Sequence, residues 1–339
     1  MPTSHKKITI QVIAQRLKLS KATISKALSP HADRSDISAE TSERVRAAAA
    51  RMGWRPDEQR AARARRRVGN IGLVCQRSAP FTGGVYGDFL DGLGVALAAL
   101  DRRLLFVPAL EAHDWSRLLS DQRIDGAILM EPIGEPLIRL ITDSHFPAVL
   151  INQTTPAPLP QIISDDVHGA ETAVAHLAAV GHRRLAFIHS PHRLRHYSVE
   201  ARIQGFHSAC KQHGLDGIDR PQEAAHFITA WHKESAHTRA TAVLCYNFSD
   251  TLDLITTALA RNISIPGDLS VISGDDLPIM AMLQPPVTAV QVQMASMAQQ
   301  AVCCLHELIL GQRRQEPQLL LVPTRLIERG TVRQMMEDG

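Results

Sequence analysis

The chain has 339 residues, of which 45% are apolar and 21% charged. That balance fits two or three soluble globular domains with sizeable cores, and it excludes a disulfide-stapled miniprotein, a fibre or a disordered chain. The net charge of +3 conceals a split: residues 1–70 hold 16 Lys and Arg against 6 Asp and Glu, a net of +10, and the remainder holds 21 against 28, a net of −7. A basic head on an acidic body points to a polyanion partner at one end, with nucleic acid ahead of membrane.

Five cysteines, Cys75, Cys210, Cys245, Cys303 and Cys304, form an odd count without a C-x-x-C pair, the usage of a reduced cytoplasmic chain. The first residues carry charge but no uninterrupted apolar run, and no stretch approaches 18 uncharged apolar residues. Neither secretion nor a membrane span is expected.

In chain order, Thr9 is placed to cap a helix whose Ile13, Ala14 and Leu17 share a face, and Ser20 to cap a second helix with Ile24 and Leu28 turned inward. Lys21, Ala22, Ser25 and Lys26 then face out. A third helix starts at Ser38 or Thr41 and ends at Gly53. Two short helices joined by a three-residue turn, the second presenting small polar and basic side chains, have the geometry of a helix-turn-helix that enters a major groove. The alternative is a plain three-helix bundle whose charges only solvate it.

Residues 56–67, PDEQRAARARRR, open with proline and contain helix-forming alanines, yet five arginines fall between Arg60 and Arg67. So short and so charged a segment should be helical only when phosphates neutralise it. A flexible tether is the other reading.

From Gly69 onward, short apolar runs at 70–75, 103–109, 126–130, 147–152, 184–189, 242–247 and 269–276 alternate with amphipathic stretches, the pattern of βαβ units around parallel sheets. Such a length predicts two α/β subdomains, with ligands at the carboxyl ends of the strands.

The runs ITIQVIAQRLKLSKATISKAL and ISAETSERVRAAAARMGWRP, followed in order by NIGLV, DGAIL, DDVHGAETAVAHLAAVGHRRLAFI, EARIQGF, ISIPGDLSVISGDD and PPVTAV, resemble the LacI/GalR family of bacterial transcriptional regulators over nearly the whole chain. The resemblance implies an all-α helix-turn-helix head (1–55), a hinge (56–68) and a periplasmic-binding-protein-like α/β effector and dimerisation domain (69–339). Its N-subdomain would span about 69–163 and 292–318, and its C-subdomain about 164–291 and 319–339.

It also implies that Lys21 and Ala22 read base edges, with Lys26 one turn on, and that Thr9, Ser20, Thr23 and Ser25 contact phosphates. Lysine can donate to guanine, alanine can touch a thymine methyl, and hydroxyls suit phosphate oxygens. Three features depart from the family, the first being the longer loop SPHADRSDIS at 29–38. The family's turn glycine is Lys18 here, and its minor-groove leucine falls on Arg63, which cannot act as an apolar wedge but can join Arg60 in gripping a narrow groove electrostatically.

In the body, the resemblance makes Arg202, Asn247 and Asp275 effector contacts, with Asp165, Ser78 and Phe81 as further candidates. A guanidinium suits vicinal hydroxyls or a carboxylate. The alternatives are that Arg202 only pairs with Glu200 and that Asp275 only caps a turn. Aromatic residues make up 4% of the chain, so stacking platforms are sparse, and Trp231 and Tyr197 are the candidates.

His189, His192 and His196 have a spacing that could hold a metal, but Pro191 interrupts any helix and no metal is expected. No cofactor motif and no catalytic constellation is present, so no enzyme is expected. The expected protein is a cytoplasmic homodimer that represses carbohydrate-related genes. Its partners would be a pseudo-palindromic double-stranded operator and a small effector, a sugar, sugar acid or polyol ahead of a purine or nucleoside. A small-solute-binding protein is the alternative.

Overall fold

A computed structural model describes residues 10–27, 37–52, 68–75, 86–108, 123–130, 133–191 and 196–335. Expectations for Thr9, Leu28, Gly53, Arg60, Arg63, Ser78, Phe81, His192 and the segment 56–67 lie outside the described residues, as do the side chains of Ser25 and Lys26. The chain divides into two compact units, Met1–Arg67 and Val68–Gly339.

In the first unit, α1 (Ile10–Leu17), α2 (Lys21–Ala27) and α3 (Ala39–Arg51) close on a small core of Ile13, Ala14, Ile24, Ala27, Val45 and Ala49. The α1–α2 turn carries Lys18 in the left-handed region, at φ 54°. Lys18 N–H donates to Gln15 O (3.4 Å) and Leu19 N–H to Ala14 O (3.1 Å), the paired bonds of a Schellman stop, while Leu19 packs on the core. A left-handed lysine costs about 1 kcal/mol relative to glycine, which these bonds and the Leu19 contact offset. Ser20 caps α2, its Oγ accepting from Thr23 N–H at 3.0 Å, and Ser38 caps α3 through Thr41 N–H at 3.3 Å.

The second unit holds two six-stranded sheets. The first is ordered β11-β5-β4-β3-β1-β2 and the second β12-β10-β9-β8-β6-β7. The first sheet comprises β1 (Asn70–Cys75), β2 (Arg103–Pro108), β3 (Gly126–Met130), β4 (Ala148–Ile151), β5 (Pro160–Ser164) and β11 (Gln318–Val322). Helices α4 (Tyr86–Ala98) and α11 (Met294–Leu310) cover one face, where Phe89, Leu93, Ile128, Met297 and Leu305 interdigitate. Helix α5 (Glu135–Asp143) covers the other with Leu137, Ile138 and Ile141.

The second sheet comprises β6 (Arg184–His189), β7 (Asp216–Pro221), β8 (Ala242–Cys245), β9 (Ser270–Ser273), β10 (Thr288–Val292) and the antiparallel β12 (Thr324–Ile327). Helices α6 (Asp166–Ala179) and α7 (Tyr197–His213) pack on one face around Phe187 and Phe206. Helices α8 (Ala224–Trp231) and α9 (Phe248–Ala260) pack on the other around Ile228, Trp231 and Leu254. The short α10 (Pro278–Met282) buries Met280 beside Val287.

The chain crosses between sheets three times, after Ser164, at Gln293 and at Pro323. The last crossing corrects the expected 318/319 boundary: β11 runs parallel to β5 from Gln318↔Pro160 to Val322↔Ser164, so 318–322 belongs to the N-subdomain. Its sequence, QLLLV, has no turn residue to mark the change, and the break comes at Pro323, which has no N–H to continue a ladder.

Where the second unit begins, Asp125 takes two backbone donors, Val68 N–H and Gly69 N–H, each at 3.0 Å. The buried Arg102 pairs with the same carboxylate at 3.1 Å.

Candidate functional site

In both sheets the strand order reverses beside one strand: β1 lies between β2 and β3, and β6 between β7 and β8. Crevices open at the carboxyl ends of such strands because the following helices leave on opposite faces. Arg202 lies on α7 after β6, Tyr246 and Asn247 follow β8, and Asp275 follows β9.

Arg202 is buried, and its contacts define the site. Nε donates to Asp166 Oδ1 at 2.7 Å, Nη2 to Asp275 Oδ1 at 3.2 Å, and Nη1 to the carbonyl of Tyr246, over whose ring the guanidinium sits at 5.0 Å. Burial alone would weaken the cation, but Asp166 and Asp275 outweigh it and raise its pKa. Burial pushes the Asp275 carboxyl up, and Arg202 pulls it back only in part because Asp166 adds to the rise. Burial also raises the Tyr246 hydroxyl, against Arg202 and its hydrogen bond with Ser198.

Two glycines make this seat possible. A Cβ on Gly274 would run into the Tyr246 carbonyl and Arg202 Nη1, and one on Gly205 into the Val167 carbonyl where α6 and α7 touch.

The expected residues take different roles here. Arg202 and Asp275 come together, and the Glu200 pairing is replaced by Asp166. Asp165 instead caps α6, its Oδ1 accepting from His168 N–H at 3.1 Å. Its neighbour Asp166 is the one that faces Arg202 and also accepts from Ser164 Oγ at 2.6 Å. Both aspartates stand in an S-D-D run, and a one-residue step at a helix start decides which points inward. Asn247 is buried and caps α9, its Oδ1 accepting from Asp250 N–H at 2.9 Å.

Trp231 is not a stacking platform. It is in the core behind the second sheet, donating to Ala240 O at 2.7 Å with Arg239 stacked at 4.2 Å. Tyr197 does reach the crevice, where its hydroxyl donates to Asn152 Oδ1 at 2.9 Å. His189 and His196 serve separate partners. His189 Nε2 lies 3.2 Å from Asp219 Oδ1, whereas His196 caps α7.

Sequence reading missed Asp166, Asn152, Ser198 and Tyr246. Besides the S-D-D run of Asp166, Asn152 carried a signal, a polar residue ending the apolar run PAVLIN at a strand's carboxyl end.

In the first unit, Lys21 and Ala22 are exposed at the start of α2. Ser20 Oγ and Thr23 Oγ1 lie 2.8 Å apart at the same end. Two hydroxyls, a lysine and a helix N-terminus form a donor-rich edge suited to phosphates and base acceptors.

Residues 174–332 match the model of the periplasmic binding protein-like domain. Along nearly its whole length the chain is 29% identical to the HTH-type transcriptional regulator RafR of Escherichia coli, covering 93% of this chain and 96% of that protein. To the HTH-type regulator DegA of Bacillus subtilis it is 25% identical, covering 96% and 98%. Among solved structures, the CelR–cellobiose complex has a TM-score of 0.67 at 21% identity, covering 96% of this chain and all 100% of that one. The lac repressor dimer bound to operator and an anti-inducer has 0.65 at 22%, covering 97% and 100%.

Head, paired α/β subdomains and full-length relatives in one order make the chain similar, over nearly its whole length, to HTH-type transcriptional regulators.

Proposed function

We propose that this protein is a ligand-responsive repressor of carbohydrate-related genes, binding a pseudo-palindromic operator as a homodimer. Lys21 and Ala22 read base edges, while Ser20, Thr23, Ser25, Lys26 and Thr9 hold the backbone. Arg60 and Arg63 add contacts from the linker. A sugar in the crevice biases a two-state equilibrium by its differential affinity for the two states.

The observation that carries the sensor half is Arg202 held between two carboxylates at the strand ends. Three of the five guanidinium N–H donors are committed to Asp166, Asp275 and the Tyr246 carbonyl. Two anions to one cation leave the floor negative, with acceptors to spare. A neutral sugar or polyol that donates hydroxyls suits such a floor, and a sugar acid is repelled. The similar protein CelR, solved with cellobiose, is in line with this reading. Thermal-shift screening of the full chain against neutral sugars, sugar acids and nucleosides tests this reading. Stabilisation by a neutral sugar supports it, and stabilisation by sugar acids alone rejects the ligand class.

A further inference from the structure

Opposite the arginine seat, the two subdomains touch through Asn152. It follows β4 in the N-subdomain in a left-handed backbone conformation, at φ 57°, which turns its own carbonyl and side chain to different neighbours. Tyr197, the first residue of α7 in the C-subdomain, donates its hydroxyl to Asn152 Oδ1 at 2.9 Å. His196 Nε2 lies 3.1 Å from the Asn152 carbonyl. On its own side Asn152 Nδ2 reaches Tyr86 Oη, on α4, at 3.4 Å.

These contacts continue into the arginine site. A carbonyl can only accept, so His196 Nε2 carries a proton and donates it. The Ser198 backbone N–H, 3.3 Å from Nδ1, can only donate, so Nδ1 carries no proton and accepts from Ser198 Oγ as well, at 2.6 Å. Ser198 Oγ having donated, Tyr246 Oη at 2.8 Å must donate to it. Every link therefore points one way, from Tyr246 through Ser198 and His196 to the Asn152 carbonyl. Tyr246 is also the residue whose carbonyl and ring hold Arg202.

We propose that Asn152 is the catch of a latch between the two subdomains, gripped by Tyr197 and His196, and that the Tyr246–Ser198–His196 relay makes the grip depend on the arginine site. The relay's response to a ligand rests on the reading of the Arg202 crevice as the ligand site. The latch itself does not, because it operates in the ligand-free chain. A ligand hydroxyl that captures Tyr246 Oη, or displaces Ser198 from His196, loosens the catch.

The test needs neither ligand nor DNA. Cys303 on α11 is the exposed cysteine among four buried ones, and Lys233, just past α8, is exposed on the other subdomain. Spin labels on Cys303 and on the Lys233→Cys variant of the full chain, diluted with unlabelled protein so that one protomer per dimer is labelled, report the distance between subdomains by pulsed dipolar spectroscopy. The ligand-free protein should show one dominant closed population. Tyr197→Phe, which loses only the hydroxyl, should raise the open population about fivefold, the weight of one hydrogen bond. The Tyr246 hydroxyl bonds Ser198 within its own subdomain, yet Tyr246→Phe should raise the open population severalfold through the relay. Unfolded protein would show as a broad distribution with a lost thermal transition, and His196→Gln then offers a second route to breaking the grip. An unchanged distribution in Tyr197→Phe overturns the latch. A change in Tyr197→Phe without one in Tyr246→Phe overturns the relay. Failure of the ligand reading would leave all these distances as predicted.

Discussion

Arg202 Nε lies 2.7 Å from Asp166 Oδ1 in a nearly dry site, with Asp275 on the far side of the same guanidinium. The arginine is therefore the cation that compensates two buried carboxylates. Arg202→Met should destabilise the protein by about 3–5 kcal/mol at neutral pH, because it leaves those anions uncompensated. Denaturant midpoints would show it, and a loss below about 1 kcal/mol would contradict the assignment.

Asp275→Asn should behave differently. Burial already disfavours the charge of Asp275, and asparagine keeps an acceptor for Arg202 while Asp166 balances the cation. Stability should stay within about 1 kcal/mol of wild type, whereas ligand-induced thermal shifts should vanish. Retained shifts would remove Asp275 from the ligand site.

His182 gives a pH signature separate from function. Buried just ahead of β6, with Nδ1 2.9 Å from Thr241 Oγ1, it is pushed by burial, and by Arg333 and His176, from 6.5 to about 4. The unfolded chain takes up a proton that the folded one refuses. The stability this site contributes is therefore complete above pH 6.5 and is lost as pH falls toward 4. Over that window the wild type should lose about 2 kcal/mol that His182→Asn does not lose. Parallel pH profiles of the two proteins would contradict it.

Asp125 holds the first backbone amides of the second unit, Val68 and Gly69, and is itself held by Arg102. Asp125→Asn keeps one acceptor and breaks the ion pair. Amide exchange at Val68 and Gly69 should accelerate at least fivefold, an effect of about 1 kcal/mol, with the β4 amides unchanged. Unchanged exchange at both positions would show that other contacts fix this segment.

Much of this architecture was legible because parallel strands buried on both faces are written as apolar runs. NIGLVC, GAILM and RLAFIH became β1, β3 and β6 within their expected bounds. The strands β7, DGIDRP, and β12, TRLI, were not legible, since an edge strand exposes one side and its polar residues hide the period. The site was half legible. Arg202 and Asp275 carried family positions, but the inward aspartate proved to be Asp166, and Trp231, a plausible platform by composition, was consumed by the core. Cross-crevice partners such as Asn152 and Tyr197 are 45 residues apart in sequence, and only the packing of two sheets brings them together.

Lys21 and Ala22 stand exposed at the N-terminus of α2. Exchanging them for other residues should redirect base preference at two operator positions by about 1–3 kcal/mol each, while the salt dependence of binding changes little. Selection from randomised duplexes would read this directly. A uniform loss on every sequence would instead mark both as backbone contacts.

The central claim, that a neutral sugar in the Arg202 crevice changes operator binding, is tested most directly by fluorescence anisotropy. The full chain is titrated onto an operator recovered by such selection, with and without a panel of neutral sugars, for wild type and Arg202→Lys. At least one sugar should move the wild-type midpoint tenfold or more, about 1.4 kcal/mol, and leave Arg202→Lys unmoved. A wild-type midpoint indifferent to every sugar, or an equal shift in Arg202→Lys, would contradict the account.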